Sequence, residues 1–244
     1  YAGNSLGTTV IMTTRMPQQF EATGKAQYFH EDFSLYGHKA DFGGSSVQAS
    51  VGNKAGNLSW LLGFSQLDSQ GHPMQYAIVE GAGATHNPTA SPPFTAVTGF
   101  IEDTNVTGAR RLILGETSRD TTHQKTFKLK LVYDFTSTLK GRYWLSSWQN
   151  DSYNQVTSYL KDASGNTITG GRIYDGVSKD YTIAANAFSE NVWAQQHWMN
   201  ALSLKSTASP QLDWEANATW YHIGNDTQHA SAPDGRCGVG ITTS

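Results

Sequence analysis

One long polar stretch of the sequence, residues 68–123, contains several side chains that could bind a ligand. Arg110 and Arg111 are adjacent, and two guanidinium groups can hold an anion such as a carboxylate-bearing chelate through paired hydrogen bonds. The alternative interpretation is a solvated pair of charges beside a strand. The candidate ligand-binding residues of this stretch are His72, Tyr76, His86, Phe94, Arg110 and Arg111.

The other residue patterns predict no catalytic, metal or cofactor site. The eight histidines include no H-E-x-x-H motif and no two histidines in i, i+2 spacing. Gly81 and Gly83 lack the third glycine of a dinucleotide-binding turn. The run from Asp162 to Asn166 lacks the closing glutamate of a calcium loop and reads more simply as a polar turn. We therefore predict that the chain is not an enzyme and binds no metal or cofactor.

The composition is typical of many strands joined by polar loops. Only 15% of the residues are charged, whereas a soluble domain has roughly 25%. The net charge of −3 predicts no nucleic-acid partner, and the single cysteine, Cys237, excludes an internal disulfide. Because no apolar run reaches about 18 residues, the sequence predicts no transmembrane helix.

Apolar and polar residues alternate with a period of two in several segments, which predicts β-strands. In residues 127–134, leucines and aromatic residues oppose Lys128, Lys130 and Asp134. Weaker strands are predicted near residues 141–149 and 193–206. The other alternating segments are residues 20–30, 46–51, 58–64 and 212–221.

The predicted connections alternate between long and short. The short ones are residues 53–57, 135–139 and 207–211, and the long ones are residues 32–42, 68–123 and 150–191. Outer-membrane barrels sort their connections in this way, with short periplasmic turns and long extracellular loops. Alternation by itself also fits a soluble β-sandwich, and that interpretation stays open.

A barrel would give the two faces of each strand different surroundings. A lysine directed at the middle of the bilayer costs about 2–4 kcal/mol, so Lys128, Lys130 and Glu215 are expected to face inward. Leu129, Leu131, Trp214 and Trp220 are then expected to face lipid. We also predict that most tryptophans form girdles at the membrane interface, the alternative being the core of a sandwich. The aromatic residues assigned to the girdles are Trp144, Trp148, Trp193, Trp198, Trp214, Trp220 and Tyr221.

The first seventeen residues, YAGNSLGTTVIMTTRMP, do not alternate like a barrel strand. They resemble the end of the plug domain of TonB-dependent receptors, in which a turn and a short Val/Ile strand precede Thr-Lys/Arg and Pro. Residues 129–148, 159–166 and 198–221 also resemble that family, and the likeness extends to about residue 225. Gly7-Thr8 departs from the glycine pair of the family, and the tail after Ser231 does not resemble it.

This resemblance implies an all-β fold in which an antiparallel transmembrane β-barrel, present here in part, follows the end of a plug. The domains are then residues 1–17 (end of the plug), 18–230 (first barrel strands) and 231–244 (irregular tail). It implies a receptor and transporter of the bacterial outer membrane that takes up a scarce ligand such as a ferric siderophore. The partners would be that ligand, outer-membrane lipid, and TonB through the missing N-terminal part of the plug. Two alternatives stay open, a soluble β-sandwich that binds glycans and an outer-membrane barrel enzyme.

Overall fold

The computed structural model describes residues 16–209, 212–231 and 241–242, which contain β-strands and no helix. The predicted all-β fold is therefore confirmed. Residues 1–15, which belong to the predicted plug segment, lie outside the described residues, as does most of the tail at 231–244. The strands in chain order are β1 (Glu21–Leu35), β2 (His38–Ala55), β3 (Leu58–Gln70), β4 (Gln75–Glu80), β5 (Ala84–Thr85), β6 (Thr95–Ala96), β7 (Ile101–Thr104), β8 (Arg110–Asp134), β9 (Leu139–Ser158), β10 (Gly171–Tyr174), β11 (Lys179–Ile183), β12 (Glu190–Ser209), β13 (Leu212–Ser231) and β14 (Ile241–Thr242).

A large antiparallel sheet makes up most of the structure. Its order is β1-β2-β3-β8-β9-β12-β13-β14, and β4 and β7 extend it by pairing with one end of β8. Among the described residues β1 pairs with neither β13 nor β14, so the sheet is open and forms no closed barrel. The prediction that it is part of a transmembrane barrel is not confirmed. The short strand β14 pairs with Thr227 and Gln228 of β13, so the predicted irregular tail contains at least this strand.

The connections of the large sheet are sorted between its two ends. The turns at 56–57 and 135–138 lie at one end of the sheet, which is called the lower end. Ser209 pairs with Leu212, so the connection between β12 and β13 lies at the same end. The long connections, residues 71–109 and 159–189, lie at the upper end. The prediction that long and short connections occupy opposite ends is therefore confirmed, but the long connections are shorter than predicted. Residues 68–70 belong to β3, residues 110–123 to β8 and residues 150–158 to β9.

The first upper connection differs from the prediction. Residues 32–42 are not a long loop, because β1 and β2 pair without interruption up to Leu35 and His38. Tyr36 and Gly37 form the whole turn, with φ angles of 51° and 76°. Two successive positive φ angles match the right-handed twist of a hairpin. Polar residues on both strands interrupt the alternation in this part of the sequence, and the sequence therefore predicted a loop.

The buried core lies at the upper end and not along the sheet. A second sheet of four short strands, in the order β5-β11-β10-β6, packs there with β4 and the first residues of β8. The core is tight, since a Cβ on Gly115 would collide with the Thr157 carbonyl and the Phe188 ring. Its buried side chains are Ala77, Val97, Leu112, Leu114, Leu160, Ile173, Tyr181, Ile183 and Phe188.

Candidate functional site

The pairing register places the apolar residues of neighbouring strands on one face of the large sheet. Trp60 lies beside Leu131, and Leu131 lies beside Tyr143. Directly paired residues point to the same side of a sheet, so rows of this kind form a continuous surface, called the apolar face. Its members are Val47, Ala49, Val51, Leu58, Trp60, Leu62, Phe64, Phe127, Leu129, Leu131, Tyr133, Tyr143, Leu145, Trp198, Leu202, Leu204, Trp214 and Trp220.

Much of the apolar face is open. Phe64 is 43% exposed, Leu202 45% and Trp220 50%. Within the described ranges, no strand of the small sheet contacts β3, β9, β12 or β13. The expectation that Leu129, Leu131, Trp214 and Trp220 share a face is confirmed by the register.

The opposite surface of the sheet is called the polar face, and in the lower half of the sheet it carries the charged residues. Higher up, Asp68, Lys125 and Asp151 lie on the same side as the apolar face. Lys128, Lys130 and Glu215 all lie on it, as the alternation predicted. Its lower half forms a trough of about 680 Å³, which Met16, Gln18 and residues of β3, β8, β9, β12 and β13 line. In this trough the carboxylate of Asp134 pairs with Lys140 at 3.2 Å. Pro17 is buried where it meets Gly52 on this face.

The predicted aromatic girdles are wrong for four residues. Trp198, Trp214 and Trp220 lie on the apolar face, but the register places the other four on the polar face. Trp144, for example, is paired with Lys130 and Ala201. For the three tryptophans, the register of β9 and β12 could not be read from the sequence, because both strands have polar residues on both sides. Tyr221 follows Trp220 on β13, and adjacent strand residues point to opposite faces. The four residues are Trp144, Trp148, Trp193 and Tyr221.

Three of these four aromatic residues belong to a group on the upper half of the polar face. Tyr221 and His197 are hydrogen-bonded, and the Trp148 ring meets the His197 ring edge to face at 5.2 Å. The indole N–H of Trp193 donates to Asp226 at 2.7 Å. This group, called the wall cluster, consists of Trp148, Asn150, Trp193, Gln195, His197, Tyr221 and Asp226.

A β-bulge in β13 builds part of the wall cluster. The pairing slips between Gln196 and His197, so that Ile223 and Asn225 lie opposite successive residues of β12 and Gly224 is the extra residue. A bulge changes which face the following residues occupy. Without it, Asp226 would point to the apolar face. The strict alternation of the sequence therefore could not have predicted that Asp226 reaches Trp193.

The predicted ligand-binding residues do not form one group. His86 and Phe94 lie together on the small sheet, with ring centroids 6.3 Å apart. The His86 ring stacks on Tyr174 at 3.7 Å, and its Nδ1 is hydrogen-bonded to the buried Asp180 carboxylate at 2.6 Å. The Arg172 guanidinium lies 3.9 Å from the Phe94 ring centroid.

Arg110 and Arg111 point to opposite sides of β8. Arg110 donates to Glu102 at 2.6 Å and to the Tyr181 hydroxyl at 2.6 Å. Arg111 donates twice to Asp103 on the other side. The two guanidinium groups therefore cannot hold one anion together in this arrangement. A ligand-binding role for either residue alone stays a prediction.

Tyr76 and His72 each occupy a separate place. The Tyr76 ring meets Tyr36 of the first hairpin edge to face at 5.0 Å, and burial raises the pKa of its hydroxyl. His72 is hydrogen-bonded to Glu31 at 3.0 Å and stacks on Phe33. Both contacts attach the connection that follows β3 to the β1–β2 hairpin.

One group of potential metal ligands occurs among the described residues, and sequence spacing alone did not reveal it. His30 and Asp32 are two residues apart on β1, and Asp41 lies opposite Asp32 on β2. One ligand atom from each residue lies within 4.8 Å of the others. All three are exposed, and exposed groups of this kind are common without an ion.

A G-x-S-x-G spacing also occurs in the sequence, at Gly3, Ser5 and Gly7. These residues lie outside the described part of the chain.

No family model, curated protein or solved structure matches this chain. The likeness to TonB-dependent receptors therefore rests on the residues of the sequence. No helix that could cross a membrane occurs among the described residues.

The pairing of Asp180 with His86 predicts a pH-dependent stability of the small sheet. Burial opposes ionisation of Asp180, but hydrogen bonds from His86 and the Asn87 amide hold its pKa below the ordinary value. Its stabilising effect is therefore present above the ordinary pKa of about 3.9 and is lost as the pH falls through the lower folded value. Asp180→Asn replaces the carboxylate with a neutral amide and is therefore expected to lower stability at pH 7.

Hydrogen–deuterium exchange of β10 and β11 measures this effect. The wild type should lose protection as the pH falls below about 4, whereas Asp180→Asn should already have lost it at pH 7. Thr182→Ala, at an exposed position of β11, is the control and should exchange like the wild type. Equal protection of Asp180→Asn and wild type at pH 7 would contradict the prediction.

Proposed function

We propose that the chain forms part of the wall of a bacterial outer-membrane β-barrel. In this proposal the barrel belongs to a receptor and transporter of the TonB-dependent kind, which takes up a scarce ligand such as a ferric siderophore. The single observation that supports it most is the chemical difference between the two faces of one sheet. In the lower half of the sheet the apolar face is wide and open, and the charges lie on the polar face.

The extent of the apolar face favours lipid as its surroundings. Soluble monomeric proteins rarely expose contiguous apolar patches larger than a few hundred Å². Here apolar side chains continue across six neighbouring strands from β2 to β13. A soluble sandwich would cover this surface with a second sheet, whereas a bilayer would cover it without one.

The sorting of connections also supports the proposal. Barrels of the outer membrane have short turns on the periplasmic side and long loops outside. The small sheet and its buried core, which residues 71–109 and 159–189 build together with the upper end of β8, would then lie on the extracellular side. A ligand would first meet the protein there, near His86 and Phe94.

The beginning of the described chain agrees with a plug inside the barrel. Met16 lines the polar trough, and Pro17 is buried beside Gly52 on the same face. In the proposal, this is where the plug joins the first barrel strand. TonB would act on another part of the plug. Further strands would pair with the edge of β1 to close the barrel. Transporters of this type have 22 strands.

Cell fractionation tests the proposal directly. The full-length protein, expressed from its own reading frame, is expected in the outer-membrane fraction and to require detergent for extraction. Its folded form should migrate faster than its boiled form in a denaturing gel, as a stable barrel does. A protein that stays in solution without detergent would contradict the proposal and favour the glycan-binding sandwich.

A further inference from the structure

Buried polar atoms in and beside the wall cluster have no hydrogen-bond partner in the protein. The Asn150 side chain is 7% exposed, and its Nδ2 donates to Gln195, but its Oδ1 accepts nothing. The Nε2 atom of His197 also has no hydrogen-bond partner, and the Asp226 carboxylate lies 4.0 Å from it. Oδ1 of Asn191, which lies higher on the same face, has no hydrogen-bond partner either. Leaving such atoms unpaired in a buried position is unfavourable. A ligand rich in hydroxyl groups could both donate to and accept from them.

The aromatic rings of the wall cluster offer flat apolar surfaces beside these polar atoms. Trp193 is 42% exposed and Tyr221 is 55% exposed. They lie on the polar face, so the lipid of the proposed barrel would not cover them. Rings with apolar bodies and polar tips suit ligands that are themselves amphipathic. A pyranose ring, with C–H groups on its flat sides and hydroxyl groups around its edge, is such a ligand.

The charge around the wall cluster argues against an anionic ligand. From the row of Trp148 upward to Asp120, the polar face of β8, β9, β12 and β13 carries no lysine or arginine within the described ranges. The ionised groups there are the carboxylates of Asp120 and Asp226. Lys128 lies one row below Trp148, in the row of Ser146, Met199 and Tyr221. Lys130, Lys140 and Arg142 lie lower, around the trough. The part of the wall cluster from the row of Trp148 upward to Trp193 therefore offers an anionic ligand no lysine or arginine in its own rows.

We propose that the wall cluster is a binding subsite for a neutral oligosaccharide. Trp193 and Tyr221 stack against sugar rings, and Asn150, Gln195 and His197 bind hydroxyl groups. This inference rests on the proposed function only for the position of the polar face in the barrel lumen. It narrows the ligand, because a carboxylate-bearing ferric chelate would meet Asp226 instead of a cation.

Calorimetric titration of the purified full-length protein tests the subsite. The probes are cellotetraose, maltotetraose and chitotetraose, with the acidic tetragalacturonate for comparison. At least one neutral probe is expected to bind, and Trp193→Ala should raise its Kd by about tenfold or more. Trp193→Phe keeps a flat ring and should change the Kd by less than about threefold. Trp214→Ala removes a tryptophan from the apolar face and should leave the Kd unchanged.

Three results would overturn the subsite. They are no binding of any neutral probe up to about 10 mM, binding of tetragalacturonate alone, and an equal loss of binding in Trp193→Ala and Trp214→Ala. Fractionation of the same preparations separates this proposal from the proposed function. Outer-membrane protein that binds no neutral sugar contradicts the subsite alone. Soluble protein that binds one in a Trp193-dependent way contradicts the membrane location alone.

Discussion

The variant Ala218→Arg is expected to lose most of the folded protein from the outer membrane, whereas Thr219→Arg is expected to keep it. The two residues are neighbours on β13 and both are exposed, but they point to opposite faces. Ala218 continues the apolar row of Leu202, Tyr143 and Leu131. An arginine there would enter the bilayer at a cost of about 2–4 kcal/mol, while an arginine at 219 would enter the polar side.

The amount of heat-modifiable protein in isolated outer membranes measures this difference. A soluble protein would tolerate both substitutions equally, because both side chains would be in water. Equal levels of the two variants would therefore contradict the membrane assignment of the apolar face. A lower level of Thr219→Arg than of Ala218→Arg would mean that the two faces have been assigned to the wrong surroundings.

The variant Phe188→Ala is expected to unfold the small sheet while leaving the large sheet in place. The Phe188 ring is completely buried in the core at the upper end and lies against Gly115 of β8. Truncating a buried phenylalanine costs about 3–5 kcal/mol. This loss of stability affects mainly the small core at the upper end. The long strands below it are held together by their own backbone pairing.

Limited proteolysis locates this effect. New cleavage is expected within residues 71–109 and 159–189, with no new cleavage in β9 or β12. Val177→Ala is the matched control, because Val177 is 82% exposed and adds nothing to the core. Cleavage spread evenly over the whole chain would show instead that the two parts unfold together, and this would contradict the separation of the core from the long sheet.

The sequence predicted where the candidate ligand residues lie in the chain but not which residues they contact. Long polar connections could be recognised as places for ligand contacts, and His86 and Phe94 do meet on the small sheet. The partner of His86 is Asp180, which is 94 residues further along the chain. Pairings at that separation depend on how two long connections fold against each other. Arg110 and Arg111 fail as a pair for a local reason, since adjacent residues of a strand point to opposite faces.

The sequence by itself determined the lower parts of the long strands and most of their faces. In β3, the lower part of β8 and the first half of β13, apolar residues recur at every second position. Because successive side chains of a strand point to opposite faces, this period places all the apolar residues on one face. Lys128 and Lys130 could be separated from Leu129 and Leu131 without any structure. The sorting of short and long connections could also be read, because turn residues mark the lower end.

Only the tertiary structure decided the register of β9 and β12 and everything that depends on it. Those strands carry polar residues on both sides, so a slip of one position would exchange their faces without a clear signal in the sequence. Backbone pairing with β8 and β13 fixes Trp148 and Trp193 on the polar face, and the bulge at Gly224 brings Asp226 to Trp193. The wall cluster forms because β9, β12 and β13 pair in one register. The sequence of any one of these strands does not specify that register.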